Sequence, residues 1–524
     1  MQRAVAQSAA LQLVLLALVW AAVALPMLGS GGLTMTEGHR AIPGWTMLRT
    51  GDWLVPTMFE QAYMRKPPGM AWATGLSAML LGESALSARL VSAISFGACA
   101  LAAWWFGRRW FGRRGAMCAG LAMLLMPWLW TVARQAEIEA LLLAGTSVGA
   151  FAVIDRLVAG GSRPRTIATL GVLGWTVAML AKGPAALPVL VGCVGAACVV
   201  RRSWRPLVSW THVLSQLVPG LVVAAWWLAA SASVRASGQE PVLQSPGAFL
   251  FEAGRVLEIG LLAPSALLAM LPASLAMLFP WGPDARREGE RTDTARARFG
   301  LARALAWAAP LALGVLVLSG ISNPRYAMPT AVLMPMLVAW VCALRGEPEE
   351  AGGLLPQRAA IARAMLLGRP AVLVGVLMLG AGGFVWLGEA RVRATSGAGA
   401  GAELGSALAD RVDASADVLE LWADDVIEAR PEVLDALVRA AEDRGIRVRA
   451  RWMPGADAAD WMTSASGPGA VLLRGDEASP EMGVAVKMVN EPTWIDVGSA
   501  GAHKYLFRLL LRAGGGDAAP PPGG

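Results

Sequence analysis

The stretch Leu33–Trp72 reads LTMTEGHRAIPGWTMLRTGDWLVPTMFEQAYMRKPPGMAW. It lies between one long apolar segment and a second apolar region, and it is too highly charged to span a membrane itself. Its charged residues alternate with Trp, Phe, Tyr and Pro. This mixture fits a loop packed on a membrane surface, although charge content alone would equally allow an ordinary solvated loop.

The composition of the whole chain indicates a polytopic membrane protein. Of its 524 residues, 56% are hydrophobic and only 16% are charged, and the mean hydropathy is +0.51. The formal net charge of +7 does not indicate nucleic-acid binding, because the Arg residues lie in short connections between apolar segments. All five cysteines fall within apolar segments, which argues against disulfides and a cysteine metal site.

Apolar runs close to the length that spans a bilayer recur along most of the chain, and in lipid such runs must be helical to pair their backbone polar groups. About 11 transmembrane helices are predicted, at 8–28, 84–107, 116–133, 139–157, 166–181, 184–200, 208–230, 259–281, 302–320, 327–344 and 370–388. A further apolar helix at 69–82 is short, and we expect it to be re-entrant or interfacial.

The positions of the arginines predict the orientation. With the N-terminus in the cytoplasm, all the Arg-rich connections fall on the cytoplasmic side. These connections start at Arg108, Arg156, Arg201, Arg286 and Arg345. Counting 69–82 as a full span would place Arg108 and its neighbours outside. We therefore expect a multi-pass protein of the inner (plasma) membrane.

The region after the last predicted helix is hydrophilic and is expected on the extracytoplasmic side. Residues 389–513 contain short β-like runs and an amphipathic helix from Pro431 to Arg444 that Gly445 would stop. The predicted fold is therefore an all-α polytopic membrane domain, residues 1–388, followed by a small α/β domain. The Gly/Pro-rich tail, residues 514–524, is predicted to be disordered.

The order of residues in the first outer loop, residues 29–68, resembles that of the ArnT-like and PMT-like polyprenyl-phosphate-sugar glycosyltransferases, which are membrane-embedded enzymes of the GT-C class. The typical pattern of these families is Asp-Glu-x-Arg, a helix, Ser/Thr-Gly-Asp-Trp and Tyr-x-x-Lys-Pro-Pro. This chain supplies Glu37 and Arg40, then Thr50–Trp53, then Tyr63–Pro68, and weaker similarity extends to Tyr326. The resemblance implies an inverting glycosyltransferase.

One position departs from the family pattern. The acidic residue that usually precedes the Glu is Thr36 in this chain. If that acid is the base of the family, its role has moved or been lost here.

The resemblance makes Glu37 and Glu139 the candidate catalytic acids. Glu37 would act as a general base or would orient the acceptor; its structural alternative is a charge that complements a helix dipole. Glu139 occupies a position where relatives usually carry Asp, and its alternative role is to hold Arg134 or another loop charge. Glu137 is expected to point elsewhere on a helix.

Four residues are candidates for binding the donor phosphate. Lys66 is fixed by two prolines, and a fixed ammonium would stabilise a phosphate whose charge grows as the sugar leaves. Arg325 can grip a phosphate in a bidentate fork, and Tyr326 can donate to it. Lys182 matches a family Lys-Gly-Pro, although a Lys at a helix C-terminus also has a structural explanation.

Three aromatic residues, Trp53, Tyr63 and Trp72, are expected to pack the loop or the isoprenoid of the donor. The sequence has no Gly-rich nucleotide loop and no His/Cys metal cluster. No cofactor is implied, although Glu37 and Glu139 could share a divalent metal.

The expected function is transfer of a sugar from a polyprenyl-phosphate donor to a lipid, glycan or protein acceptor on the extracytoplasmic side. A lipid-linked donor stays in the bilayer, and no nucleotide is available outside, so the site should open sideways to lipid. Two alternatives remain open: a non-catalytic or transport-type protein on the same frame, and a ligase that uses a diphosphate-linked glycan.

Overall fold

The computed structural model describes residues 9–159, 163–239, 241, 243, 256–271, 273–281, 293–343, 383, 387, 397–412, 418–423, 430–452, 469–475, 494–502 and 505–512. Within these residues the chain is mostly helical, and six helical segments are long and apolar enough to cross a membrane. The chain is therefore a multi-pass membrane protein with a small sheet near its C-terminus.

The helices of the membrane part are α1 (Ala9–Ala24), α2 (Gly38–Thr50), α3 (Gly69–Leu81), α4 (Ala85–Leu124), α5 (Trp128–Arg134), α6 (Ile138–Ile154), α7 (Pro164–Lys182), α8 (Leu187–Arg201), α9 (Trp210–Ala236), α10 (Val256–Ala269), α11 (Asp293–Leu318) and α12 (Met334–Ala343). A two-stranded hairpin, β1 (Thr57–Met58) and β2 (Gln61–Ala62), lies in the first loop.

The all-helical membrane fold predicted from the sequence is confirmed, with two helices divided differently. The predicted helix 116–133 ends at Leu124, and α5 begins separately at Trp128. The predicted helix 259–281 is also broken: α10 ends at Ala269, and a 3-10 helix covers Ala273–Trp281. The predicted helix 370–388 lies almost wholly outside the described residues, so the number of spans stays a prediction.

The first Arg-rich connection is a sharp bend rather than a loop. Gly112 within α4 has φ 77° and ψ −168°, a conformation that glycine adopts without steric cost. Next to the bend, Arg109 Nε donates to Asp155 Oδ1 over 2.8 Å, and Trp110 Nε1 donates to the same oxygen over 2.6 Å. This buried carboxylate fixes the end of α6 to the bend.

Small residues allow α6 and α7 to pack backbone against backbone. A Cβ on Gly174 would lie 2.5 Å from the backbone nitrogen of Gly149, and a Cβ on Gly145 would lie 2.5 Å from that of Ala178. Helices in membranes associate through such small-residue contacts. The close approach brings the first turn of α6 to the last turn of α7.

A buried ion pair fixes the first loop to the membrane helices. Arg89 on α4 donates from Nε and Nη2 to the two oxygens of Glu37, each over 2.8 Å. The same guanidinium donates to the backbone carbonyls of Leu28, Ser30 and Gly32. Both side chains are at most 1% exposed. Arg89 therefore fixes both the start of the first loop, at Leu28–Gly32, and Glu37 within it.

The C-terminal region forms a small α/β unit, as predicted. Its elements are α13 (Gly397–Ala409), β3 (Leu419–Ala423), α14 (Pro431–Glu442), β4 (Val448–Trp452), β5 (Gly469–Gly475), β6 (Trp494–Ala502) and β7 (Tyr505–Arg512). The strand order is β4-β3-β5-β7-β6, with β3 parallel to β4 and β5 and with β7 antiparallel to β5 and β6.

This C-terminal unit packs on the first loop. Arg439 on α14 contacts Glu83 over 2.6 Å and lies over the ring of Trp45. At the other side, the backbone nitrogen of Trp452 donates to the carbonyl of Phe59, and Arg449 contacts Glu60 over 2.6 Å. The loop is therefore enclosed between the membrane helices and the C-terminal unit.

Replacing Arg89 by Ala is expected to destabilise the protein strongly. Removal of the guanidinium would leave the Glu37 carboxylate buried without its counter-ion, and breaking a buried pair in this way costs about 3–5 kcal/mol. Thermal unfolding of the detergent-solubilised protein would measure the effect as a lowered Tm.

Arg49→Ala is the matched control. Arg49 also pairs with a carboxylate, Glu83, but its side chain is 52% exposed, so its loss should cost about 0–1 kcal/mol. Equal melting temperatures for Arg89→Ala and Arg49→Ala would contradict an anchoring role for the buried pair.

Candidate active site

The first loop presents Lys66 against the end of α7. Pro67 and Pro68 follow Lys66, and α3 starts at Gly69, so the chain is stiff at this point. A Cβ on Gly69 would lie 2.7 Å from the carbonyl oxygen of Leu180, which shows how closely the two backbones pack. This contact brings Lys66 into the neighbourhood of Lys182.

Glu139 lies at the centre of the site. It belongs to the first turn of α6, and its Oε1 accepts a hydrogen bond from Lys182 Nζ over 2.7 Å. Arg325 Nη2 lies 3.0 Å from Oε2, in a geometry that makes an ion pair rather than an aligned hydrogen bond. Lys182 Nζ also lies 4.5 Å above the ring of Tyr326. Four of the predicted site residues, from three separate parts of the chain, therefore meet here.

Lys66 experiences the field of this cluster. Burial, together with the neighbouring cations Lys182 and Arg40, lowers the pKa of Lys66 to about 8, against an opposing effect of Glu139. Crowded cations repel one another, and an anion bound among them would relieve the repulsion. The structure therefore places Lys66 in the same group as Lys182 and Glu139, as the sequence predicted.

Arg40 belongs to the same charged cluster, although it was expected only as a member of the Glu37-x-x-Arg40 motif. It lies in the first turn of α2, and its Nε is buried without a hydrogen-bond partner among the described residues. Its charge acts on Lys66, Glu137 and Glu139. The available signal was the place of Arg40 in the family pattern Glu37-x-x-Arg40, although the two side chains have different partners in the structure.

Glu137 faces the site, which corrects the expectation that it points elsewhere on a helix. It precedes α6 with an extended backbone and is the N-cap residue of that helix. Its Oε2 accepts from Arg325 Nη2 over 2.8 Å, and its Oε1 accepts from the hydroxyl of Thr36 over 2.7 Å. Arg325 thus contacts both Glu137 and Glu139. The expectation treated Glu137 as a helical residue, whereas α6 begins at Ile138 and the extended backbone of Glu137 turns its side chain to Arg325.

The carboxylate of Glu37 is fully engaged by hydrogen bonds from Arg89, Thr34 and Ala136. Besides Arg89, it accepts hydrogen bonds from the backbone nitrogens of Thr34 and Ala136, each over 2.8 Å, and from the Thr34 hydroxyl over 2.9 Å. Burial favours a raised pKa, but Arg89 and the backbone donor outweigh it and lower the pKa of Glu37. A fully bonded, buried carboxylate positions the loop and the Gln135–Glu137 segment.

The hydrogen bonds to Glu37 also leave no room for a metal ion shared with Glu139. Both of its oxygens already accept hydrogen bonds, so Glu37 and Glu139 do not fit a divalent cation held between them. Among the described residues, no group of three His, Cys, Asp or Glu side chains has metal-binding geometry.

The three aromatic residues predicted to pack the loop, Trp53, Tyr63 and Trp72, all contact neighbouring parts of the loop or of α3. Trp72 Nε1 donates to the carbonyl of Trp53 over 2.7 Å, and the ring of Trp53 covers Gly75. Tyr63 is buried between His39 and Trp452, with ring centroids 5.9 Å and 6.1 Å away. Tyr63 therefore connects the loop to the C-terminal unit.

Comparison with known proteins supports the resemblance noted in the sequence. The family model described as dolichyl-phosphate-mannose-protein mannosyltransferase matches residues 65–228. Two undecaprenyl phosphate-alpha-4-amino-4-deoxy-L-arabinose arabinosyl transferases are similar. The protein of Aeromonas hydrophila is 29% identical over 35% of this chain and 34% of its own length. The protein of Pectobacterium carotovorum is 30% identical over 28% of this chain and 23% of its own length. The matches therefore span about a third or less of these relatives.

The similarity of fold extends much further. The crystal structure of ArnT from Cupriavidus metallidurans bound to undecaprenyl phosphate superposes with a TM-score of 0.61 at 17% identity, and it covers 96% of this chain and 97% of that protein. The apo form of the same protein gives a TM-score of 0.62. The resemblance to the ArnT-like and PMT-like families is therefore confirmed, and the chain is ArnT-like in fold along nearly its whole length.

Proposed function

We propose that this protein is a membrane glycosyltransferase that moves a sugar from a polyprenyl-phosphate carrier to a lipid, glycan or protein acceptor. The observation that carries the proposal is the group of four cations, Arg40, Lys66, Lys182 and Arg325, around two buried carboxylates, Glu137 and Glu139. The names of the relatives and the lipid bound to the ArnT structure support a polyprenyl phosphate as the donor carrier.

The site belongs on the extracytoplasmic side of the inner membrane in this proposal. The Arg-rich bend at Gly112 divides α4 and is separated from the first loop by the part of α4 that starts at Ala85, and Arg156 follows Asp155 at the end of α6 opposite Glu139. The positive-inside rule then places the N-terminus and these arginines in the cytoplasm. The first loop and the C-terminal unit lie outside, where a lipid-linked donor can reach the site through the bilayer.

Lys66 is the residue best suited to the donor phosphate. Lys182 and Arg325 are paired with carboxylates, which fix their positions, and Lys66 lies in the field of Lys182 and Arg40, so an anion bound beside Lys66 would offset the repulsion between the cations. When the bond between the sugar and the phosphate breaks, negative charge grows on the phosphate oxygens. Preorganised cations in a partly dehydrated site stabilise that charge.

Glu139 is proposed to position the cations and the acceptor. By holding Lys182 and Arg325 it sets the geometry of the phosphate site, and Tyr326 lies against Lys182 on the same side. A carboxylate between two cations is itself a strong hydrogen-bond acceptor. Glu37 holds the loop in place through Arg89 and does not contact the substrates in this proposal.

Lys66→Ala is expected to reduce sugar transfer by on the order of 10²-fold or more, because it removes one phosphate-stabilising contact. The measurement is transfer from radiolabelled polyprenyl-phosphate sugars in membranes that contain the full-length protein. Arg411→Ala is the control, because Arg411 is exposed on the C-terminal unit and, among the residues that the structure describes, bonds locally to the carbonyl of Ala407. Unchanged transfer by Lys66→Ala would remove Lys66 from the phosphate site, and the transport-type alternative would then gain support.

The affinity for the donor is expected to fall as the pH rises through about 8, the lowered pKa of Lys66. The protonated ammonium binds the phosphodiester, whose own pKa lies far lower, so binding weakens by up to about tenfold per pH unit once Lys66 loses its proton. Donor binding to the purified protein over a pH series would measure this dependence. Lys66→Arg keeps its charge and should flatten the profile, and an equally steep fall in that variant would assign the dependence to another group.

A further inference from the structure

Thr36 and Glu137 form a hydrogen-bonded pair at the edge of the cation cluster. The Thr36 hydroxyl donates to Glu137 Oε1 over 2.7 Å, and the two residues come from the first loop and from the start of α6. Thr36 is partly exposed, whereas Glu137 is 4% exposed. The hydroxyl oxygen of Thr36 can therefore accept a hydrogen bond from a bound molecule while its proton points to the buried carboxylate.

The backbone around Glu137 is held rigidly. The amide of Ala136 donates to Glu37 over 2.8 Å, and the amide of Glu137 donates to the Ser92 hydroxyl over 3.1 Å. Ser92 and Glu37 are both buried. The buried Glu37–Arg89 pair thus fixes the carboxylate of Glu137 beneath Thr36, and a fixed geometry of this kind suits proton transfer.

Glu137 and Glu139 differ in their charge partners. Glu139 lies between two cations, Lys182 and Arg325, whereas Glu137 shares Arg325 and otherwise contacts the neutral hydroxyl of Thr36. Burial raises the pKa of Glu137 and the charge of Glu139 adds to this, while Arg325, Arg40 and the Thr36 hydrogen bond oppose it. Glu137 is therefore the carboxylate of the site that takes up a proton more readily.

We propose that Thr36 and Glu137 form a proton relay that activates a hydroxyl group of the acceptor. The inference rests on the proposed glycosyltransferase function and names the acceptor class, because an acceptor phosphate would already be anionic and would need no base. It also assigns a role to Thr36, which replaces the acid of the family pattern.

During sugar transfer, one bond to the anomeric carbon forms as another breaks, and one proton moves from the acceptor to Glu137. The acceptor oxygen attacks the anomeric carbon of the sugar, and the bond from that carbon to the donor phosphate breaks, with its electron pair leaving on the polyprenyl phosphate. The proton of the acceptor hydroxyl passes to Thr36 Oγ1, and the proton of Thr36 passes to Glu137 Oε1. Glu137 ends neutral, and it returns its proton to solvent after the products leave.

Four variants test the relay. Thr36→Val and Glu137→Gln each remove one part with little change in shape, and each should lower transfer by about 10²–10⁴-fold, the usual contribution of a general base. Thr36→Ser keeps the hydroxyl and should keep most of the activity. In the double variant Thr36→Asp with Glu137→Gln, the carboxylate moves to position 36, and transfer should recover well above that of Glu137→Gln alone.

Two further measurements separate the relay from folding and from donor binding. All four variants should bind radiolabelled polyprenyl-phosphate sugar as tightly as the wild type does. If the wild-type protein itself does not bind this donor, the proposed function is wrong, independently of the relay. The acidic limb of the pH–rate profile should follow Glu137, disappear in Glu137→Gln and return at lower pH in the double variant. Wild-type transfer rates in Thr36→Val or Glu137→Gln would overturn the relay, and so would a double variant no more active than Glu137→Gln.

Discussion

The buried pair of Arg89 and Glu37 is the interaction on which the rest of the site depends. An isolated charge is costly to bury, so each side chain requires the other, and together they satisfy backbone groups from two segments, Leu28–Thr34 and Ala136. One of those segments leads into the first loop, and the other leads into α6. Thr36 and Glu137 keep their relative positions because both segments are tied to the same pair.

The helix packing supplies the second half of the site. Glycines between α6 and α7 let the two backbones meet, and Glu139 and Lys182 face each other at the ends of these helices. Arg325 then enters from the segment before α12 and connects Glu137 with Glu139. The C-terminal unit contacts the loop through Trp452, Arg439 and Arg449, and within the cluster the side chains of Glu139 and Lys182 are only 3% and 9% exposed. A low local dielectric constant strengthens the interaction of the cations with an anion.

Hydropathy and family spacing predicted the membrane fold, the short helix after Glu37 and the convergence of Lys66, Glu139, Lys182 and Arg325. Those features follow from helix length and from residue order, which a sequence displays directly. The partner of Glu37 could not be predicted in this way, because Arg89 lies in a helix that hydropathy identifies only as apolar. The direction of the Glu137 side chain was predicted wrongly because Glu137 lies just before α6 and not within a helix. The role of Arg40 was not predicted because the residues near it come from distant segments of the chain.

A structure of the full-length protein with a bound polyprenyl phosphate would test the central claim most directly. We expect the phosphate within hydrogen-bond distance of Lys66 Nζ and of at least one guanidinium among Arg40 and Arg325, with the isoprenoid leading into the bilayer. A phosphate bound outside this cluster, or on the side of the membrane where the Gly112 bend lies, would show that these cations do not form the donor site.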